Sequence, residues 1–263
     1  MLYANHFVAD LARSVGFLSR LPVPDRFFAG YDGTVSRAVR AFPVAGLLIA
    51  FLPALLLLSL CSIQSTAGDT LLPVLIALAL ITLLTGALHE DGLADAADGL
   101  GGGRDADHAL LIMKDSRIGS YGVVALILSF GLRAAALAGI AQLSPEAAAL
   151  ALLSSAAVSR ALLVAHWRAL PPARNNGVAA GAGMPDDNAR NLALVIGAAA
   201  GLVLLIPGFG LPHALIALGL SAAAAWGFTR YVAKKLGGHT GDTIGATQQL
   251  CEIALLSALA LGL

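Results

Sequence analysis

The chain has 263 residues, of which 58% are hydrophobic and only 12% charged, and its mean hydropathy is +0.82. Soluble domains carry about 25% charged residues, so this composition excludes an ordinary soluble protein and points to one integral to a lipid bilayer. Sixteen Lys and Arg balance sixteen Asp and Glu, which gives no basic surplus for a nucleic-acid partner. No polar stretch is long enough to build a second core, so residues 1–263 read as a single membrane-embedded domain. The fold class expected is all-α, a polytopic membrane helical bundle.

Residues 1–20 carry His6, Asp10, Arg13 and Arg20 and have no early apolar run, which argues against a secretory signal. Phe7, Leu11, Val15 and Leu18 recur at helical spacing before Pro22 and Pro24. They predict an N-terminal amphipathic helix, either lying in the membrane interface or packed on the core. About 20 apolar residues cross a bilayer, and seven spans are expected at 42–61, 71–88, 121–143, 147–166, 192–211, 213–229 and 248–263.

The basic residues fall on alternate connections. Arg13, Arg20, Arg26, Arg37 and Arg40 precede the first span, and Arg104, Lys114 and Arg117 lie between the second and third. Arg160, Arg168, Arg174 and Arg190 flank the loop after the fourth, and Arg230, Lys234 and Lys235 follow the sixth. The connections 62–70, 144–146 and 207–212 have none. Lys and Arg mark cytoplasmic loops, so the N-terminus and the long loops are expected on the cytoplasmic side. Cys61 and Cys251 then sit near opposite membrane faces, too far apart for a disulfide.

Arg133 and Glu252 fall inside spans, where charges normally face the interior and pair; Glu252 also lies near enough to the interface to stand alone. His166, Trp167 and Arg168 read as an interfacial anchor, and the polar Gly/Pro-rich loop 171–191 as a lid or specificity loop.

The stretch "LHEDGLADAADGLGGG" at 88–103 places Glu90, Asp91, Asp95 and Asp98 within nine residues, with no Lys or Arg before Arg104. If span two continues as a helix, Asp91, Asp95 and Asp98 form one stripe. One reading is a solvated acidic helix end. A crowd of like charges beside a membrane is costly without a cation, however, and carboxylates suit Mg²⁺ or Mn²⁺ rather than zinc. Downstream, Lys114, Asp115 and Arg117 follow a glycine-rich loop, and Lys114 and Arg117 are candidates for gripping phosphate oxygens. Lys114 is equally explained as a membrane-anchoring charge. In "GGHTGDTIGATQQ" at 237–249, Thr240, Asp242 and Thr243 are candidate helix caps, and a helix N-terminus there would offer N–H groups to an anion. Carboxylates, basic groups and an anion loop on one side of the bundle suggest metal-assisted phosphoryl transfer.

Four separated motifs, "FLSRLPVP" (17–24), "HEDGLADAADG" (89–99), "MKDSRIGSYG" (113–122) and "GGHTGDTIGA" (237–246), together resemble the cobalamin synthase family, adenosylcobinamide-GDP ribazoletransferase or cobalamin-5′-phosphate synthase. The resemblance runs nearly end to end. It implies a Mg²⁺-dependent transferase, with Mn²⁺ as substitute, in the bacterial cytoplasmic (inner) membrane. Such an enzyme joins adenosylcobinamide-GDP to α-ribazole or α-ribazole 5′-phosphate and releases GMP. On this basis Glu90, Asp91, Asp95 and Asp98 are expected to hold metal, and His89 or one of the three aspartates to accept a proton. Lys114, Asp115, Arg117, His239, Thr240, Asp242 and Thr243 are expected to bind substrate. The resemblance leaves a homo-oligomer, or association with other cobalamin-assembly enzymes, open. "DGLADxxDG" is also similar to the acidic motif of CDP-alcohol phosphotransferases, but Asp95 stands where that family has Arg and its second acidic run is absent. A cation-coupled transporter would need carboxylates near the bilayer midplane, whereas most of these acids lie in basic loops.

Overall fold

Long runs of Leu, Ala, Val and Ile dictate helices here, because every backbone polar group inside a bilayer must be paired within its own segment. The computed structural model describes residues 2–63, 69–174 and 181–262. In chain order these hold α1 (Leu2–Leu18), α2 (Phe42–Ile63), α3 (Leu71–Thr85), α4 (Leu88–Gly102), α5 (Ala106–Ile112), α6 (Ser120–Leu143), α7 (Pro145–Ala169), α8 (Asp187–Leu236) and α9 (Gly241–Ala260). Four helical segments are long and apolar enough to cross a membrane by themselves: Ala38–Ile63, which includes α2, together with α6, α7 and α8.

At 1.5 Å per residue the 50 residues of α8 would reach about 75 Å, far beyond a hydrocarbon core of about 30 Å. The helix breaks at Gly210 (φ 77°, ψ 164°), between Pro207 and Pro212. Its arms fold back on each other, since a Cβ on Gly201 would meet Leu218 Cδ2 at 2.7 Å. The expected spans at 192–211 and 213–229 are these two arms. The last span starts earlier than expected, because α9 begins at Gly241.

Span two differs from expectation. It does not continue into the acidic stretch: α3 ends at Thr85 and α4 leaves at 88° to it. The cause is a left-handed pair, Gly86 (φ 64°) and Ala87 (φ 59°), whose N–H groups bond Leu83 O and Thr82 O. Arg20 holds this corner. Its N–H donates to Leu84 O at 2.7 Å, and its side chain lies where a Gly86 Cβ would stand, 2.5 Å from Nε. Position 86 therefore needs glycine for both its φ and its space, and α4 is directed across the bundle rather than through it.

α7 is the hub, packed against α2, α6, α8 and α9. Small residues bring the helices close: a Cβ on Gly46 of α2 would strike Ala156 O, and one on Gly197 of α8 would strike Ala161 Cβ. Phe51 and Leu52 of α2 and Ile127 and Leu128 of α6 face outward as expected of a lipid-facing surface. Of the two readings for α1, the structure selects the core-packed helix. Leu18 is buried, and Ser14 Oγ donates to Ala38 O at 2.9 Å. Buried Asp10 accepts from Arg40 at 2.8 Å and from Arg37 at 3.2 and 3.3 Å. Cys61 and Cys251 are both buried free thiols.

Candidate active site

The site is built where α4 crosses α9. Gly92 and Gly245 make the crossing possible: a Cβ on Gly92 would lie 3.0 Å from Asp242 O and 3.2 Å from Gly245 Cα, and one on Gly245 would lie 3.3 Å from Gly92 Cα. This backbone-on-backbone approach sets Asp91 and Asp95 of α4 against Asp242 in the first turn of α9. The cation beside Asp95 and Asp242 is Arg174, whose Nη2 lies 3.4 Å from Asp242 Oδ2 and whose Nη1 is buried without a partner among the described residues. Burial, with the charges of Asp91, Asp242 and Asp98 adding to it and Arg174 opposing, pushes Asp95 up to about 6. The carboxylates thus crowd one another.

The N-terminus of α9 carries a capping box. Thr243 N–H donates to Thr240 Oγ1 at 3.2 Å, and Thr240 N–H donates to Thr243 Oγ1 at 3.0 Å. Thr240 Oγ1 also donates to Asp242 Oδ2 at 3.1 Å. Thr243 is fully buried and meets His166 Nε2 at 3.1 Å, while His166 Nδ1 meets Thr229 Oγ1 at 2.8 Å. His166 therefore ties α7 to α8 and α9, and Trp167 is buried beside it; of the expected anchor His166, Trp167 and Arg168, the first two rings are buried in the bundle and only Arg168 reaches outward, to Asp187. His239 lies edge-on to Trp167 at 6.3 Å and within 3.4 Å of Met184 Sδ, and burial lowers its pKa to about 4, leaving it neutral.

Asp98 is occupied elsewhere. Its oxygens accept from Gly119 N–H at 2.7 Å and Gly122 N–H at 2.9 Å, seating the start of α6. A Cβ at either glycine would strike that carboxylate, which explains the "IGSYG" of the third motif. Lys114 is exposed, and Arg117 is 86% exposed and spends its guanidinium on Asp115 at 2.6 Å. Arg117 in turn holds Asp115 down at about 2. The cation beside the carboxylates is Arg174, read from sequence only as a loop charge.

Glu90 turns into the bundle, where its Oε1 accepts from Gln249 at 3.1 Å and faces Arg133 at 3.4 Å. Arg133 also meets Glu252 at 3.1 Å, confirming the interior pairing, and Arg160 lies 3.8 Å from Glu252. Arg160 is a buried residue of α7, not a flank of the following loop. Ser129, Ser159 and Gln248 complete this interior network. His89 lines both this network and a neighbouring cavity, and its Nε2 has no partner.

That cavity, about 200 Å³, is walled by Phe17 of α1, Phe42 of α2, Leu163 and Trp167 of α7 and Ile244 of α9, with Asp91 and Asp242 also on its lining. Of the expected lid at 171–191, residues 175–180 lie outside the described residues. The flanking segments pack inward: Ala173 N–H donates to His239 O at 2.8 Å, and Val35 N–H to Ala182 O at 2.8 Å. Among the described residues no three His, Cys, Asp or Glu converge into a ready-made metal cage. Mg²⁺ typically takes one or two carboxylates and completes its shell with water and substrate phosphate, a demand that one or two of Asp91, Asp95 and Asp242 meet.

The model of a family described as "Cobalamin-5-phosphate synthase" matches residues 10–260. A relative from Rhizobium etli is 54% identical over 98% of both chains, and one from Sinorhizobium medicae is 54% identical over the whole of both. A third, from Azorhizobium caulinodans, is 43% identical over 96% of this chain and 95% of its own. Each of the three is named adenosylcobinamide-GDP ribazoletransferase. No solved structure matches the chain. The four motifs that hold the α3–α4 corner, the carboxylate crossing, the seat of α6 and the capped start of α9 all lie within the matched span, and the chain belongs to the cobalamin-5-phosphate synthase family.

Proposed function

We propose that this chain is the membrane transferase that joins adenosylcobinamide-GDP to α-ribazole, or to its 5′-phosphate, giving adenosylcobalamin or its 5′-phosphate and GMP. This is the last step of cobalamin nucleotide-loop assembly. The observation that carries the reading is the meeting of Asp91, Asp95 and Asp242 with Arg174 at the α4–α9 crossing.

The step is a displacement at phosphorus. The ribazole 3′-hydroxyl oxygen bonds to the phosphoryl group borne by the cobinamide arm, and the bond from that phosphorus to the oxygen of GMP breaks. Arg174, with one N–H face unpartnered, grips the diphosphate. The start of α9 adds its positive end to the same place. A carboxylate of the group, or the free Nε2 of His89, takes the hydroxyl proton. One or two of Asp91, Asp95 and Asp242 would hold a divalent cation, Mg²⁺ or Mn²⁺. When bound, it offsets charge developing on the leaving phosphate. The reading sets the N-terminus and this site on the cytoplasmic side of the inner membrane, where nucleotide substrates are made, and the run of Lys and Arg in the long loops supports it.

Purified protein in liposomes, given both substrates with and without Mg²⁺, is expected to release GMP only with the metal. Asp91→Asn should abolish release while the protein stays in the membrane. Undiminished turnover of that variant at normal Mg²⁺ dependence would refute the metal assignment.

A further inference from the structure

The aromatic wall of the cavity beside the carboxylates has no task in the chemistry above. We propose that it seats the 5,6-dimethylbenzimidazole base of α-ribazole, with Trp167 Nε1 donating to the base's free ring nitrogen. This rests on the ribazole-transfer reading and assigns one of its substrates a place.

Size comes first. About 200 Å³ is below the ~300–1,000 Å³ of pockets for drug-sized ligands, so it suits one flat ring system rather than a nucleotide or a corrin. Shape follows. Phe17 stacks on Phe42 at 5.9 Å and on Trp167 at 6.3 Å, so aromatic faces already line the space. Polarity then discriminates between the bases in the reaction. Guanine brings an amide, an exocyclic amine and ring nitrogens; the lining's His89, Asp91 and Asp242 are already assigned to the proton and the cation, and the walls of Leu18, Leu163 and Ile244 would leave most of guanine's polar groups unmet. Dimethylbenzimidazole, once joined to ribose, offers two methyls and a single acceptor nitrogen.

The wall supplies the matching donor. Trp167 is 1% exposed, and its indole N–H finds no acceptor among the described residues. An indole nitrogen can only donate, so its buried orphan state is a cost that a ligand acceptor removes. Placement agrees as well. Asp91 and Asp242 share the cavity lining, so a base seated there sets its ribose against the carboxylates where the 3′-hydroxyl must react.

The test begins with wild-type protein in liposomes with Mg²⁺ and both substrates. Absence of GMP would refute the ribazole-transfer reading itself. With turnover in hand, Trp167→Phe is expected to raise KM for α-ribazole about 10-fold, leaving kcat and KM for adenosylcobinamide-GDP within about twofold. An α-riboside of 5,6-dimethylindole, which lacks the acceptor nitrogen, should inhibit wild type about 10-fold more weakly than the benzimidazole riboside, and Trp167→Phe should no longer distinguish the two. Equal rises in both KM values, or retained discrimination by Trp167→Phe, would overturn the pocket assignment alone. A readout without that variant is available because the chain has two tryptophans and the other, Trp226, is 68% exposed. In Trp226→Phe protein, α-ribazole alone should quench the remaining fluorescence. No quenching, or a lipid acyl chain in the cavity that α-ribazole fails to displace, would also overturn it.

Discussion

Gly92→Ala is a single methyl placed at the crossing that assembles the site. The new Cβ would stand 3.0 Å from Asp242 O, 3.2 Å from Gly245 Cα and 3.3 Å from Asp242 Cα. Carbon contacts settle at about 3.5–4.0 Å, so α4 and α9 must part by about half an ångström. All three neighbours are backbone atoms, and no side chain can rotate away. Overpacking costs about 1–3 kcal/mol, and one methyl belongs at the low end. The larger effect falls on geometry, because the displaced atoms belong to Asp242 and to the residue after Asp91. A misplacement of about 1 Å costs on the order of 100-fold in rate, so half of that predicts a ~10-fold fall in kcat, or about 1.4 kcal/mol of barrier. GMP release in liposomes, with a thermal melt alongside, reads both terms. Gly245→Ala meets its nearest atoms at 3.3, 3.4 and 3.5 Å and should lose less, while Gly131→Ala has nothing within 4 Å and should lose nothing. A Gly92→Ala enzyme at the wild-type rate, or a Gly131→Ala enzyme equally impaired, would refute the reasoning.

Arg133→Leu leaves Glu90 and Glu252 buried with Arg160 as their remaining counter-ion. It should cost about 3–5 kcal/mol, seen as a large fall in melting temperature that adding Glu252→Gln partly restores. Asp95 binds its proton more tightly when folded, at about 6 against a usual 3.8, so metal-free protein should lose stability as pH rises through that interval. Because a cation needs the carboxylate ionised, Mg²⁺ should raise the melting temperature above about pH 6, and the gain should fade below it and in Asp95→Asn. Arg174→Lys loses the guanidinium fork and should raise KM for adenosylcobinamide-GDP about 10-fold. Arg117→Lys, on an exposed side chain already paired with Asp115, should leave that KM unchanged.

The all-helical membrane class was legible because apolar runs are one-dimensional signals; of the seven spans expected, four helical segments are long and apolar enough to cross a membrane by themselves, or five if the bent α3–α4 pair counts as one. The acidic stretch announced itself by like charges without neighbours of opposite sign. What escaped was direction. Gly86 after Thr85 is a helix-stop signal, yet the apolar run made α3 and α4 look continuous, and only the Arg20 contact shows the turn. Asp98 fits the i, i+7 stripe, but its partners are glycines 21 and 24 residues away, a pairing no local period reveals. Lys114 and Arg117 drew attention by nearness in sequence, whereas Arg174 reaches Asp242 across 68 positions. Arg160 sat close enough to a span's end to pass for a loop charge, although its side chain is buried in the bundle.

The buried ion network also bears on how the protein is made. Its members arrive from the ribosome in the order Glu90, Arg133, Arg160 and Glu252, on four different helices. A lone charge at the centre of an inserting helix costs about 2.5–3.5 kcal/mol, so α6 and α7 enter the bilayer carrying cations that outnumber the anions already present. Only delivery of the final helix evens the tally. A nascent chain that ends before α9 would hold two arginines to one glutamate in its interior.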